Sequence, residues 1–194
     1  MKFYDWQLEK NVSEPWVFAD NIFTDEECDK ILKLFSGNNV IDGATSGYGN
    51  DDNIRRSKII YIEASDPENY WIFQRCTGVI QHLNNQFFQF DIEKIEALQI
   101  GRYDSRNQGC FKKHVDAGYE LPVFRKLSFS IQLSDDNSYE GGDLLLYAGE
   151  DYDTAPRRKG TIIAFPSFAL HEVTPVTSGV RYSLVGWVCG PKFR

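Results

Sequence analysis

The sequence predicts a mainly β fold of jelly-roll type with supporting helices at its N-terminal end. Three observations predict it. From residue 92 onward the chain divides into short strand-like stretches at 95–103, 111–116, 126–133, 143–147, 161–165, 171–173 and 180–188. Turn signals separate them, among them Asp135-Asp136-Asn137, Gly141-Gly142 and Thr177-Ser178-Gly179. Many short strands at such intervals indicate a sandwich or barrel. Residues 1–92 instead carry helix signals, so an α+β chain is expected in which they buttress a β-core over 93–194. A single domain, 1–194, is expected, with no repeats and no low-complexity tract.

In chain order, residues 1–20 are aromatic-rich, contain Pro15, and read as an irregular entry or an edge strand. Thr24 with Glu27 three residues on forms a capping box. Ile31, Leu32, Leu34 and Phe35 supply an apolar face, and Gly37 is expected to end that helix. Residues 37–53 are rich in Gly, Asn and Asp. They read first as a surface linker, and otherwise as a lid whose one large substrate contact would be Tyr48. Residues 57–62 read as a strand, with Arg55 and Arg56 before it facing solvent or a substrate. Asp66-Pro67 opens a second helix, since the missing N–H of proline costs nothing in the first turn. Trp71, Ile72, Val79, Ile80, Leu83 and Phe87 fit helical spacing there. His82 on this helix reads as a packed or solvated residue, not a ligand.

Composition narrows the function. A net charge of −7 argues against binding to nucleic acid or an anionic membrane, both of which need a basic surface. Cys28, Cys76, Cys110 and Cys189 are far apart and form no C-x-x-C pair, so a zinc ribbon or thioredoxin-like motif is not expected. The first ten residues lack an apolar signal core, and no run is long enough to span a bilayer. A soluble, reduced, cytoplasmic protein is the expectation.

The chemistry centres on His114-Val115-Asp116. On an extended segment side chains alternate, so His114 and Asp116 share one face and Val115 points the other way, into a core. His171 would complete two imidazoles and one carboxylate, the facial set that holds Fe(II) and leaves positions open. Cys110, four residues before His114, is a disfavoured thiolate alternative. From His171 to Arg181 the chain reads as strand, turn and returning strand, so the two are expected to meet across a hairpin ladder. An arginine pointing into an apolar core is costly unless an anion meets it, and its planar fork suits a carboxylate. Arg181, Ser183, Val185 and Trp187 share a face by alternation, which would form a pocket wall. A ligand that reaches metal at one end and arginine at the other is a 2-keto dicarboxylate, and 2-oxoglutarate fits. The charges of a ferrous ion, Asp116, that dianion and Arg181 cancel, so the assembly could sit in a dry cavity.

Further residues carry a family resemblance. They are Tyr103, His114-x-Asp116, Leu127-Ser128, the run from Leu133-Ser134-Asp135 through Tyr139-Glu140-Gly141-Gly142-Asp143-Leu144, Phe165-Pro166-Ser167, His171-x-Val173-x-Pro175-Val176, and Gly179-x-Arg181-Tyr182-Ser183-Leu184-Val185-x-Trp187. Over 95–194 the sequence resembles the Fe(II)/2-oxoglutarate-dependent dioxygenases of the prolyl 4-hydroxylase-like branch, and is similar to the PKHD-type hydroxylases of bacteria and phages. The resemblance implies a double-stranded β-helix, cupin-like, with the triad at one mouth. It implies that His114, Asp116 and His171 are the catalytic iron ligands and that Arg181 binds the distal carboxylate of 2-oxoglutarate. Tyr103 would hydrogen-bond that cosubstrate, Leu144 would pack on its chain, and Trp187 would line the substrate side. O2 is the co-reactant, and ascorbate dependence is common in the family. The sequence departs from the pattern at Gln132, where several prolyl hydroxylases place an aromatic residue near the cosubstrate, and at Phe111, where some have tyrosine. Arg181 stands where collagen-type enzymes use lysine. These differences bear on the substrate more than on the cofactor chemistry.

The expected activity is hydroxylation of a C–H bond in a peptidyl residue such as proline, with release of succinate and CO2. A free amino acid or small metabolite is the alternative substrate. From other classes, a cupin-like metal or sugar binder without turnover would need Arg181 to point outward. A hydrolytic Zn(II) enzyme would leave Arg181 unexplained.

Overall fold

The computed structural model describes residues 14–36, 39–44, 51–117 and 124–192. In order these form β1 (Val17–Ala19), α1 (Asp25–Leu32), β2 (Ile41–Asp42), β3 (Arg55–Arg56), β4 (Lys58–Tyr61), α2 (Tyr70–Leu83), β5 (Lys94–Asp104), β6 (Cys110–His114), β7 (Arg125–Gln132), β8 (Tyr139–Gly141), β9 (Leu144–Ala148), β10 (Asp151–Thr154), β11 (Ile162–Pro166), β12 (His171–Val173) and β13 (Val176–Cys189). Among the described residues no helix is long and apolar enough to cross a membrane.

Two antiparallel sheets face each other. The larger runs β1-β11-β7-β13-β5-β4-β2, with β8 added on β13, and the smaller runs β10-β9-β12-β6-β3. The chain enters β11 in the larger sheet, crosses to β12 in the smaller and returns to β13 in the larger. That crossing from sheet to sheet is the jelly-roll pattern, as the strand spacing predicts. β1 is the edge strand expected near Pro15, pairing with β11.

The crossing overturns one expectation. β12 and β13 are not a hairpin: β12 pairs with β6 and β9, while β13 pairs with β5, β7 and β8. His171 and Arg181 are therefore not cross-strand neighbours; they lie in opposite sheets. The reason lies at Thr174-Pro175, where the backbone bonds outward, Thr174 N–H to the Asp143 carbonyl and Val176 N–H to that of Gly109, both at 2.9 Å. Proline has no N–H with which to continue a ladder.

Alternation explains the two cores. On β7, Leu127, Phe129 and Ile131 join a cluster with Ile31 of α1 and Ile72, Ile80 and Leu83 of α2, so the helices cover the outer face of the larger sheet. The intervening Ser128, Ser130 and Gln132 are also buried, but point between the sheets, where Tyr103, Leu144, Phe165 and Val173 form a second cluster. A sheet covered on both faces has room for polar residues only where they meet partners; the inner face of β7 is where the site lies.

The helices follow their signals. Thr24 Oγ1 accepts from Glu27 N–H at 3.2 Å, and Thr24 N–H donates to Glu27 Oε2 at 3.0 Å. α1 stops at Leu32, short of the expected end, because Leu34 and Phe35 N–H bond back three residues to Ile31 and Leu32 and tighten the last turn. Asp66 caps a short 3-10 turn at Pro67–Asn69 that leads into α2. Ile72, Cys76, Ile80 and Leu83 are its buried stripe, and His82 is exposed, as expected. Replacing Ile72, which is fully buried, with alanine is expected to lower stability by about 2–5 kcal/mol. Urea unfolding would measure it, and a loss under about 1 kcal/mol would show that the helix layer repacks freely.

Candidate metal centre

β6 ends at His114, and Asp116 lies in the bend beyond it. The expected continuous strand is thus broken, and Val115 is 46% exposed rather than in a core. The break has a local cause: Asp116 and Ala117 N–H both bond to the Ser167 carbonyl at 2.9 Å, which pulls the chain off the β6 line. The two side chains converge all the same. Asp116 Oδ1 lies 3.6 Å from His114 Nε2, and Oδ2 lies 3.6 Å from His171 Nε2. β12 brings His171 directly opposite His114 in the ladder. One donor atom from each of the three lies within 4.8 Å of the others, and the side chains are only 7–14% exposed.

Both imidazoles are aimed by the same device. His114 Nδ1 lies 2.7 Å from the Lys112 carbonyl, and His171 Nδ1 lies 3.0 Å from that of Ala169. An Nδ1–H donated there leaves the Nε2 lone pair free toward the shared point. Burial opposes ionisation of Asp116, yet His171, His114 and the Ser128 hydroxyl together hold its carboxyl below the usual range. Ser128 Oγ is also 3.0 Å from Ser167 Oγ, so two buried serines brace the bend. Ser128→Ala is expected to weaken metal binding by roughly 10–100-fold without unfolding the chain, as for other outer partners of a ligand. Metal titration would show this, and an unchanged affinity would mean that the bend alone holds Asp116.

Burial, and then the neighbouring His171, pushes the His114 ring from 6.5 down to about 4. The folded metal-free protein therefore keeps that ring neutral where the unfolded chain would protonate it. The stability this provides is full above about pH 6.5 and is lost as pH falls toward 4. Urea unfolding at pH 7 and at pH 5 should give the lower stability at pH 5; the reverse order would contradict the burial of this ring.

Arg181 comes from the opposite wall. It is 1% exposed and heads the largest fully buried side chains. Its Nη2 donates to Gln132 Oε1 at 2.9 Å and its Nη1 to Ser183 Oγ at 3.5 Å, while Nε has no partner. Among the described residues no carboxylate pairs with it. Gln132 is itself fixed, donating from Nε2 to the Pro156 carbonyl at 2.9 Å. Gly142, at φ +64, lets the backbone pass: a Cβ there would lie 3.1 Å from Arg181 Cδ. A buried guanidinium with a free N–H and no counter-ion calls for an anion.

One cavity joins the two features. Its walls include His114, Asp116 and His171, and also Arg181, Ser183, Val185 and Trp187, the face that alternation predicts. Tyr103 and Leu144 line it as well, with Tyr103's ring 5.5 Å from the Arg181 guanidinium. Trp187 is backed by the Arg125 guanidinium at 4.2 Å, which is itself paired to Glu96 at 2.7 Å. Gln132 does not line the cavity but reaches it through Arg181. Tyr48 lies outside the described residues, as does part of the 37–53 loop. Cys110 is buried in β6 and borders a different, outer cleft with Lys112 and Glu172, so the thiolate alternative finds no support. Sequence reasoning missed Gln99, Ser130 and Phe165 in the lining. For Gln99 the signal was present, since it alternates onto the face of Tyr103. A roomier cleft of about 530 Å³ lies near Thr24, Asp25, Asp135 and Lys159. Size does not select it, because the one cluster of three metal-ligating side chains found among the described residues is His114, Asp116 and His171.

A jelly roll with an N2O donor set at one end of a cavity and an unpaired buried arginine in its wall has the make-up of a non-haem metal protein that takes an oxo-acid. The comparisons agree. Residues 98–189 match the family described as the 2OG-Fe(II) oxygenase superfamily. A PKHD-type hydroxylase of Synechococcus sp. (strain CC9605) is 39% identical over 98 residues, 50% of this chain and 43% of that protein. A PKHD-type hydroxylase of Crocosphaera subtropica is 28% identical over 172 residues, 87% of this chain and 76% of that protein. In the first of these alignments the chain spans less than half of its relative. Among solved structures, a prolyl hydroxylase from Trichoplax adhaerens, in complex with a hypoxia inducible factor peptide fragment, superposes with a TM-score of 0.75 at 16% identity, covering 90% of this chain and 83% of that one. A Pseudomonas putida prolyl-4-hydroxylase gives 0.69 at 17%, covering 92% and 94%. These structural likenesses bear out the fold. Residues 98–189 thus resemble the 2OG-Fe(II) oxygenase superfamily, and the chain is similar to PKHD-type hydroxylases. The family's cofactors are Fe(II), 2-oxoglutarate and O2.

Proposed function

We propose that the protein is an Fe(II)- and 2-oxoglutarate-dependent dioxygenase that hydroxylates a C–H bond of a peptidyl residue, such as proline, with release of succinate and CO2. The observation that carries this reading is Arg181, buried with a free Nε in the wall of the cavity that holds the His114, Asp116 and His171 donors. The donor set fits ferrous iron: two neutral imidazoles and one carboxylate, with no thiolate. In this reading residues 93–194 are the catalytic core and 1–92 its support. All four cysteines are free and buried, which fits a reducing compartment, and we read the protein as cytoplasmic.

Each side chain then has a task. His114 Nε2, His171 Nε2 and an Asp116 oxygen would hold the iron. The Arg181 fork, held open by Gln132 and Ser183, would bind the distal carboxylate of the cosubstrate. Tyr103 and Leu144 would flank the cosubstrate chain, and Trp187, clamped by Arg125, would border the reacting carbon. The bound iron and cosubstrate supply the oxidising power, while the protein supplies orientation and keeps water out. Ascorbate is the reductant to supply in assays.

A peptide is the substrate favoured here because the prolyl hydroxylase from Trichoplax adhaerens, which shares this fold, was solved in complex with a peptide fragment. The test has two stages. Fe(II) and then 2-oxoglutarate are added without oxygen, and a weak metal-to-ligand charge-transfer band should appear only with both and be absent in His171→Ala. No band in folded, iron-loaded protein would sink the dioxygenase reading. Succinate release is then compared with proline-containing peptides and with free amino acids; stimulation by the free amino acids alone would overturn the peptide assignment.

A further inference from the structure

The cavity holds a second buried arginine, Arg55, which is 8% exposed. It differs from Arg181 in one respect: all three of its nitrogens have partners. Nε donates to Ser57 Oγ at 2.7 Å, Nη2 to Gln99 Oε1 at 2.9 Å, and Nη1 to the Ala44 carbonyl at 3.2 Å. An arginine bonded in this way is fixed in place rather than poised for an anion. Its guanidinium sits 4.5 Å from the centroid of the Phe111 ring. Phe111 in turn stacks on the His114 imidazole, with centroids 3.5 Å apart and planes 18° from parallel.

That stack exists because of a bulge. Residues three apart on a regular strand point to opposite faces. In the β6–β12 ladder, however, His114 faces His171 while Phe111 faces Val173, so three steps along β6 match two along β12. The extra residue at Lys112-Lys113 turns Phe111 and His114 to the same side, which is how a bulge re-aims a side chain. The bulge is tied at both groups of Lys112: its N–H bonds to the Ile54 carbonyl at 2.9 Å, and its carbonyl meets His114 Nδ1. Ile54 directly precedes Arg55, which pairs with Phe111 across β3 and β6.

We propose that Arg55 is a positioning residue for the metal: through Phe111, and with the β6 bulge, it fixes the plane of the His114 ring and so sets the site's affinity and geometry for Fe(II). This rests on the iron reading above, and the experiment separates the two. A cation over one face of an aromatic ring and an imidazole stacked on that ring restrict both rings more than either contact alone. The hydrogen bond to Lys112 fixes which nitrogen carries the proton and the direction of the Nδ1–H; the stack adds a restraint on the tilt of the ring about that bond.

The test uses the full chain and ferrous ion alone, titrated under argon against a colorimetric chelator. Wild-type protein is measured first: failure to bind Fe(II) sinks the iron reading itself. Given binding, Arg55→Met and Phe111→Leu should each raise the Fe(II) dissociation constant about tenfold, the lower end of what outer partners of ligands contribute. The double variant should lose little more than either single one, and Phe111→Tyr should bind as wild type does. With Co(II) in place of iron, the visible bands should shift in Arg55→Met and Phe111→Leu and return in Phe111→Tyr. Ile72→Val, which loosens a distant part of the core, should leave the bands in place. Where Arg55→Met does not fold, Arg55→Lys, which keeps the charge but not the three bonds, takes its place with a smaller loss. An Fe(II) affinity within twofold of wild type in the folded Arg55 variant, or losses that multiply in the double variant, would overturn the proposal.

Discussion

Arg181→Met should raise the stability of the cofactor-free protein while lowering its affinity for 2-oxoglutarate by roughly a hundredfold or more, since truncating one partner of a buried charge pair costs about 2–5 kcal/mol. The two effects have opposite signs for one reason. Arg181 is 1% exposed, has a free Nε and meets no carboxylate among the described residues. Without an anion it is a desolvated charge, and replacing it by an apolar side chain of similar length relieves that. With the dicarboxylate bound, the same charge is satisfied and the variant lacks it. Arg181→Lys should keep part of the affinity, because the charge remains and the fork is lost. Titration of the charge-transfer band would give affinity, and thermal unfolding of the cofactor-free protein would give stability. An unchanged affinity in Arg181→Met would refute the anchor assignment.

Asp116→Ala is expected to abolish turnover and to weaken Fe(II) binding by more than about a hundredfold, because losing a ligand should exceed the roughly 10–100-fold effect of losing an outer partner. Asp116 is the one anionic donor in the set, and its two oxygens each face an imidazole at 3.6 Å. Its backbone N–H still bonds to Ser167, so the bend should survive the substitution. The variant should therefore fold and still bury both histidines. Iron titration and succinate formation would be measured side by side. A variant that keeps iron and activity would remove Asp116 from the ligand set.

Part of this molecule was legible locally. The capping box at Thr24 and Glu27, the stripe Ile72, Ile80 and Leu83 on α2, and the shared face of Arg181, Ser183, Val185 and Trp187 are consequences of helix and strand periods. Those periods act over a few residues. His114, Asp116 and His171 were legible because few residue types supply that donor set, and the family motifs carried Tyr103 and Leu144 with them. The strand-and-turn spacing of 93–194 was enough to determine a jelly roll.

What periodicity does not report is which sheet a strand joins. A period of two gives a face and leaves the partner open, so the sequence alone suggested a β12–β13 hairpin, whereas closure of the two sheets put His171 and Arg181 on opposite walls. Nor does it report local departures from the period. Asp116 left the strand because Ser167, fifty-one residues on, captured its N–H, and Phe111 reached the face of His114 only through an extra residue in β6. The sequence by itself determined the fold class and the chemical identity of the side chains that meet at the candidate site. Only the tertiary structure decided their distances, the bend and bulge that aim them, and the role of Arg55, because those depend on bonds between segments far apart in the chain.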